Sequence, residues 1–277
     1  GDIVVLELDS WQLQGFGDAK ISPHIAVLTT FFPDHLNYYK GDLKRYFADK
    51  SYIFTNQKKW DVLIVGDTIP PAIKKYRYHP RVKMTRGTGW RGNTILAGEH
   101  NRENIGLAAT ACRALGVAEK DIKKGVESFR GVPGRLEFVR EVRGVAYYND
   151  TTATSPEGLY AALDALADKK KKNIILIAGG ADKGFDYRPM AHRMHSSVKA
   201  LILFKGAGTD KIVATLPEKK TYPFFIVESM KKALKHAIIC SDKGDIVLLS
   251  PGTASFGVFK NEFDRGDQFV SLVKKLK

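Results

Sequence analysis

The sequence predicts an α/β protein with two lobes, each a mostly parallel sheet covered by helices. Short apolar runs without alternation, closed by Gly or Pro, read as strands buried on both faces. Segments of helical period separate them, and this strand–helix order implies parallel pairing. A chain of 277 residues, at roughly 150 per domain, fits two domains, and the Gly131-Val132-Pro133-Gly134 stretch is the natural hinge between them.

In chain order, residues 3–8 form the first apolar run and are expected to be a buried strand. Residues 26–30 and 62–66 read as two more, with a helix over 42–54 between them. Residues 68–93, rich in Pro, Gly and basic side chains, read as irregular or short β structure. Residues 102–115 read as a helix with Ile105, Ala108, Ala109, Cys112 and Leu115 on one face, and 121–129 as another helix. Beyond the hinge, the apolar run 145–148 leads into a helix starting near Pro156. Four further runs, 173–178, 198–204, 224–227 and 245–250, complete a sheet. The helix between the last two spans 230–240, and the closing helix carries Phe269, Leu272, Val273 and Leu276 on one stripe.

Composition narrows the class. With 44% hydrophobic and 27% charged residues, the chain can bury cores, which excludes a disordered protein. No apolar run nears the roughly 20 residues of a membrane span. The first residues carry no basic leader, and the two cysteines, Cys112 and Cys240, lie far apart. A disulfide scaffold is therefore not expected, and a cytoplasmic location is. The net charge of +14 attracts anions. The Lys169–Lys172 run reads as a solvated turn, and no recognition helix or zinc motif supports nucleic-acid binding.

Gly87-Thr88-Gly89-Trp90-Arg91-Gly92 satisfies the dinucleotide pattern G-x-G-x-x-G. That pattern works only between a strand and a helix N-terminus. Residues 81–86 are too polar for a central strand, and no helical pattern follows directly, so this is read as a loop. The chain contains no Gly-Lys pair, and so no G-x-x-x-x-G-K-[ST] phosphate loop.

Polar clusters sit where the predicted strands end, the place where open α/β sheets hold ligands. Glu7-Leu8-Asp9-Ser10-Trp11-Gln12 follows the first run and Pro33-Asp34-His35 the second. Glu7 and His35 together could hold a hard cation such as magnesium, although each alone is an ordinary turn or capping residue. Gly98-Glu99-His100-Asn101-Arg102-Glu103-Asn104 opens a helix, where Asn and carboxylates cap. Tyr148-Asn149-Asp150-Thr151-Thr152-Ala153-Thr154-Ser155-Pro156-Glu157 has more hydroxyls than capping requires, at a helix start suited to a phosphate or carboxylate.

These motifs, with Gly179-Gly180-x-Asp182-Lys183-Gly184, Ser250-Pro251-Gly252-Thr253-Ala254-Ser255 and Lys260-Asn261-Glu262-Phe263-Asp264-Arg265-Gly266, occur in the order found in the Mur ligases, which the chain resembles over nearly its whole length. The resemblance implies a central ATPase-type α/β domain over residues 1–131 and a C-terminal Rossmann-like domain over 132–277. It implies an ATP-dependent amide ligase that joins D-glutamate to UDP-N-acetylmuramoyl-L-alanine in peptidoglycan biosynthesis, by way of an acyl phosphate and with Mg2+. By resemblance, Glu7 and His35 match magnesium-binding positions, and Lys50 matches a lysine that becomes carbamylated and serves a second magnesium. Asn104 matches the adenine contact, Arg135 a phosphate contact and Asp150 a ribose contact. Thr154 and Lys183 match contacts to the α-carboxylate of D-glutamate, and Ser255 a contact to its side-chain carboxylate. Two positions depart from the pattern. Thr152 stands where many relatives have lysine, and Glu262 separates Asn261 from the aromatic Phe263.

In the family, the phosphate loop and the UDP-binding domain precede the Glu7 motif. The expectation is therefore an N-terminally truncated central domain followed by a complete C-terminal one, monomeric and inactive by itself. The alternative is a non-catalytic module that keeps a nucleotide or amino-acid pocket.

Overall fold

A computed structural model describes residues 2–32, 36–66, 69, 73, 83–86, 89–168 and 171–277. Pro33, Asp34 and His35, most of 67–82, Gly87, Thr88, Lys169 and Lys170 lie outside the described residues. The chain divides into two compact units, Gly1–Ile95 with Glu99–Phe129, and Leu96–Gly98 with Arg130–Lys277.

The first unit runs α1 (Ser10–Asp18), β1 (Ile25–Leu28), α2 (Leu36–Tyr39), α3 (Leu43–Thr55), β2 (Val62–Val65), β3 (Lys83–Arg86), α4 (Glu99–Ala114) and α5 (Glu119–Ser128). Its three strands pair in parallel in the order β1-β2-β3. Alternate strand residues face opposite ways, so Ala26, Leu28, Leu63 and Val65 pack on Phe47 and Phe54 of α3, while Ile64 packs on Leu107 of α4. Asp42 caps α3 by accepting from the Lys44 and Arg45 amides, which explains why the helix starts there.

Two sequence expectations fail in this unit. Residues 3–8 form no strand, and Ile3, Val4, Val5 and Leu6 are 65–90% exposed. An apolar run becomes a buried strand only where neighbours cover it, and none of the three strands pairs with it. Residues 83–86 form a short strand, as read for 68–93, and it takes the end of the order beside β2 rather than a central place. Helix α4 starts at Glu99, three residues before the predicted start. It buries Ile105, Gly106, Leu107 and Ala109, while Ala108 and Leu115 are exposed. The predicted stripe is rotated because α4 packs by Leu107 against β2.

The second unit opens with the hairpin β4 (Glu137–Val142) and β5 (Val145–Asn149). It continues α6 (Pro156–Leu166), β6 (Ile174–Ala178), α7 (Arg188–Ser197), β7 (Val198–Phe204), α8 (Ala207–Thr215), β8 (Phe224–Val227), α9 (Met230–Cys240), β9 (Ile246–Leu249) and α10 (Glu262–Lys274). The six-stranded order is β4-β5-β9-β6-β7-β8, parallel throughout except for the β4–β5 pair. Ile175, Ile177, Ile202, Val247 and Leu249 face α9 and α10. Ile174, Leu176, Leu201, Leu203 and Leu248 face α6, α7 and α8. Every residue of β6 is 0% exposed, which accounts for the absence of alternation in its sequence. Each of its Ile and Leu side chains contributes about 1.5–3 kcal/mol on burial.

Candidate active site

In the second unit the connections from β6 run outward through β7 to β8, and the chain then returns to place β9 on the other side of β6. The strand order therefore reverses between β6 and β9, and a crevice outside the C-terminal strand ends at such a reversal is where open α/β sheets bind ligands. Three turns meet there. Gly179 donates to the Pro251 carbonyl (2.9 Å), Ala181 to the Ala254 carbonyl (3.0 Å) and Gly252 to the Ala153 carbonyl (2.8 Å). Gly180 has φ +144°, and a Cβ on it would lie 2.4 Å from the Ala254 oxygen. Glycine is required for the two turns to approach this closely.

The 149–154 turn carries the densest polar network. Asp150, 8% exposed, accepts from the Leu136 amide (2.9 Å) and the Ser250 hydroxyl (2.7 Å). Burial pushes its carboxyl up to about 7, against the opposing pull of Ser250, Leu136 and Arg135. Thr152 donates through its hydroxyl to the Gly134 carbonyl (2.9 Å). Glu137 accepts from the Gly134 amide (2.9 Å) and the Asn149 side chain (3.0 Å). Arg135 is exposed. It sits in a turn whose flanking residues have φ +75° (Gly134) and +45° (Leu136), and Glu137 and Asp150 hold that turn.

Thr154 and Lys183 come together, the Lys183 ammonium donating to the Thr154 hydroxyl at 3.4 Å. Lys183 follows Asp182, whose carboxylate pairs with Lys211 and is held below the usual range mainly by that bond. Among the described residues no carboxylate pairs with Lys183. Ser255 is 3% exposed, and the Ala254–Ala181 bridge carries its turn beside that of Lys183. Ser155 caps α6 by accepting from the Gly158 amide (3.4 Å), so this helix start has a side-chain acceptor of its own.

Arg265 is the site residue that sequence reasoning did not single out. It is 0% exposed, and it donates through Nη2 to the Thr151 carbonyl (2.7 Å) and through Nε to the Thr151 hydroxyl (3.1 Å). That hydroxyl donates in turn to the Glu262 carbonyl (2.7 Å). Burial lowers the guanidinium to about 10. The signal was present, since Arg265 lies four residues before Phe269 and eight before Val273, on the buried face of α10.

In the first unit the predicted residues that are described lie on separate elements. Glu7 is exposed in an irregular run, and its neighbours Asp9 and Gln12 form a capping box on α1. Lys50 is half-buried on α3, its Nζ 5.2 Å from the centre of the Tyr46 ring. Asp49 beside it is occupied, accepting from Tyr39 (3.0 Å) and Gln14 (2.7 Å). Asn104 is exposed on α4, and burial lowers His100 at the start of that helix. Arg102 holds the loop before it by donating to the Trp90 (3.0 Å) and Gly92 (3.2 Å) carbonyls. No helix follows that loop directly, in keeping with its reading as irregular.

Magnesium is the cation implied by the sequence resemblance. Glu7 offers hard oxygen, whereas Lys50 as an ammonium would repel a cation. His35 lies outside the described residues. Among the described residues no group of three or more His, Cys, Asp or Glu is placed to share a metal ion. Of the described pair, Glu7 supplies hard oxygen as it stands, and Lys50 would supply it only as a carbamate.

Residues 1–89 match the Mur ligase middle domain and residues 134–252 the glutamate ligase domain of Mur ligases. The chain is 37% identical to UDP-N-acetylmuramoylalanine--D-glutamate ligase of Roseiflexus sp. (strain RS-1), over 98% of this chain and 65% of that protein. It is 32% identical to the protein of the same name from Borreliella burgdorferi, over 99% and 64%. It thus spans slightly less than two thirds of these relatives. Among solved structures, the MurF ligase of Thermotoga maritima in complex with ADP superposes with a TM-score of 0.71 at 17% identity, covering 97% of this chain and 65% of that one. Folylpolyglutamate synthase of Mycobacterium tuberculosis, complexed with ADP and AMPPCP, gives 0.69 at 15% identity, covering 93% and 65%. At such identities the superpositions speak for the fold, while the two domain matches and the sequence relatives speak for descent. On that evidence the chain belongs to the Mur ligase family.

Proposed function

We propose that this chain supplies the nucleotide- and amino-acid-handling parts of a ligase that adds D-glutamate to UDP-N-acetylmuramoyl-L-alanine at the expense of ATP. The observation that carries the reading is the Lys183–Thr154 pair. A cation with no carboxylate partner among the described residues and a hydroxyl meet at the strand-order reversal, in a chain whose relatives bear that enzyme name. In this reading, transfer of the ATP γ-phosphoryl group to the alanyl carboxylate gives an acyl phosphate and ADP. The amine of D-glutamate then attacks the acyl carbon, and the tetrahedral adduct collapses to the amide and phosphate. Such chemistry depends on positioning and charge stabilisation.

The residues divide accordingly. Lys183 and Thr154 receive the α-carboxylate of D-glutamate, and Ser255 its side-chain carboxylate. Arg135, exposed at a clamped turn, meets phosphate, Asp150 accepts from a ribose hydroxyl, and Asn104 reads the adenine. Glu7, His35 and a carbamylated Lys50 belong to this reading as magnesium positions, the ion serving to offset phosphate charge. No step above is routed through it.

The test is calorimetry of the chain with ADP and with D-glutamate, followed by ligase kinetics in a preparation that turns over. Lys183→Ala is expected to raise KM for D-glutamate by about 100-fold, the scale of a lost charge-assisted contact, and to leave KM for ATP within about twofold. Equal losses for both substrates, or no heat with either ligand, would refute the assignment.

A further inference from the structure

We infer that Phe185 is a positioning residue for the amino-acid site, its ring holding the Lys183 ammonium beside Thr154 without neutralising it. This rests on the amino-acid reading of Lys183 given above. The ammonium lies 5.5 Å from the Phe185 ring centre and 3.4 Å from the Thr154 hydroxyl. The left-handed Gly184 between Lys183 and Phe185 (φ +76°) turns the chain so that the two side chains meet. The ring is itself fixed. Phe185 is half-buried against the α6–α7 core and meets Tyr187 edge to face, with centroids 6.3 Å apart and an interplanar angle of 86°. Tyr187, 3% exposed, accepts from the Lys183 amide through its hydroxyl (3.1 Å). Backbone and side chain of Lys183 are thus each held by one member of an aromatic pair.

A carboxylate at position 185 would hold the ammonium more tightly, but it would cancel the charge that an incoming carboxylate needs. The one acid adjacent in sequence to Lys183, Asp182, is paired with Lys211 instead. The face of an aromatic ring attracts a cation within about 6 Å and takes none of its N–H donors. It therefore restrains a flexible four-carbon stem and leaves the donors for the ligand, which lowers the ordering cost of binding.

The experiment reads the contact and its consequence separately, with D-glutamate as the probe. The ε-methylene protons of Lys183, assigned by their loss in Lys183→Ala, are expected upfield of ordinary lysines because of the ring current. That displacement should vanish in Phe185→Leu and persist in Phe185→Tyr. In NMR titrations, Phe185→Leu is expected to bind D-glutamate about two- to fivefold more weakly, the worth of one exposed cation–ring contact. Phe185→Tyr should match the wild type, and Lys183→Ala should lose at least about tenfold. A purely packing role would instead weaken Phe185→Leu without the ring-current signature. Phe185→Met, of similar size, provides the non-aromatic comparison should the leucine variant fold poorly.

Undisplaced ε-methylene protons in the wild type would overturn the inference. So would wild-type affinity in Phe185→Leu or Phe185→Met while Lys183→Ala loses binding, an outcome that leaves the amino-acid reading intact. Unaltered affinity in Lys183→Ala would overturn the amino-acid reading, and with it the role given to Phe185.

Discussion

Burial acts in opposite senses on the charged residues either side of Thr151 in this network. It pushes Asp150 up to about 7 and pulls Arg265 down to about 10, in each case because the charged form loses water. For Asp150 the folded pKa exceeds the ordinary carboxylate value of 3.8, so the native state holds the proton more tightly than the unfolded chain. The contribution of Asp150 to stability is therefore greatest below pH 4, declines between about pH 4 and 7, and is flat above. Asp150→Asn, which still offers an oxygen to the Leu136 amide, should remove this slope. The stability difference between variant and wild type, followed by urea unfolding from pH 5 to 8, should shift in favour of the variant by up to about 3 kcal/mol. A pH-independent difference would show that Asp150 stays ionised in the native protein.

Arg265 gives a second residue-scale prediction. Its bonds to Thr151 join α10 to the turn that bears Asp150. Arg265→Ala should cost about 3 kcal/mol in urea unfolding, because it leaves a buried carbonyl without a donor and a space in the core. The individual roles were unevenly legible in the sequence. Lys183, Thr154 and Arg265 all stood inside motifs, but Arg265 was given no role there, and its place on the buried stripe of α10 supplies one. Phe185 gains its role through the left-handed turn at Gly184, a glycine inside a motif whose pattern does not say which side chains it brings together.

At the scale of elements, the β6–β9 reversal depends on close passage of backbones. Gly180 has no room for a side chain against the Ala254 carbonyl. Gly180→Ala should therefore lose about 2–4 kcal/mol of stability in chemical denaturation, together with amide-exchange protection at Ala181. A loss below about 0.5 kcal/mol would mean that the turns separate without penalty. The central strands of this lobe, β6, β7 and β9, were readable because they are buried on both faces, which removes alternation from the sequence. The run 3–8 has the same composition and is no strand, while the polar Lys83–Arg86 is one. Apolar runs report a capacity for burial, and partners decide whether it is used.

At the scale of the molecule, the two sandwiching cores of the second unit lie wholly within Arg130–Lys277. A protein comprising residues 130–277 should therefore unfold in one cooperative urea transition, with an m-value of about 1–3 kcal/mol/M. Two transitions, or a molten baseline, would show that this unit draws stability from outside itself. Among the described residues no helix is long and apolar enough to cross a membrane.

The sequence by itself determined the α/β class, the parallel strands of the second unit, most of the helices and the family, because buried strands, helix stripes and glycine-bearing turns leave local marks. Tertiary structure alone decided which polar residues meet. Lys183 and Thr154 lie 29 residues apart, and Arg265 and Thr151 lie 114 apart. Strand order brings such residues together, and it is set by how the whole set of apolar faces packs, which no single segment encodes.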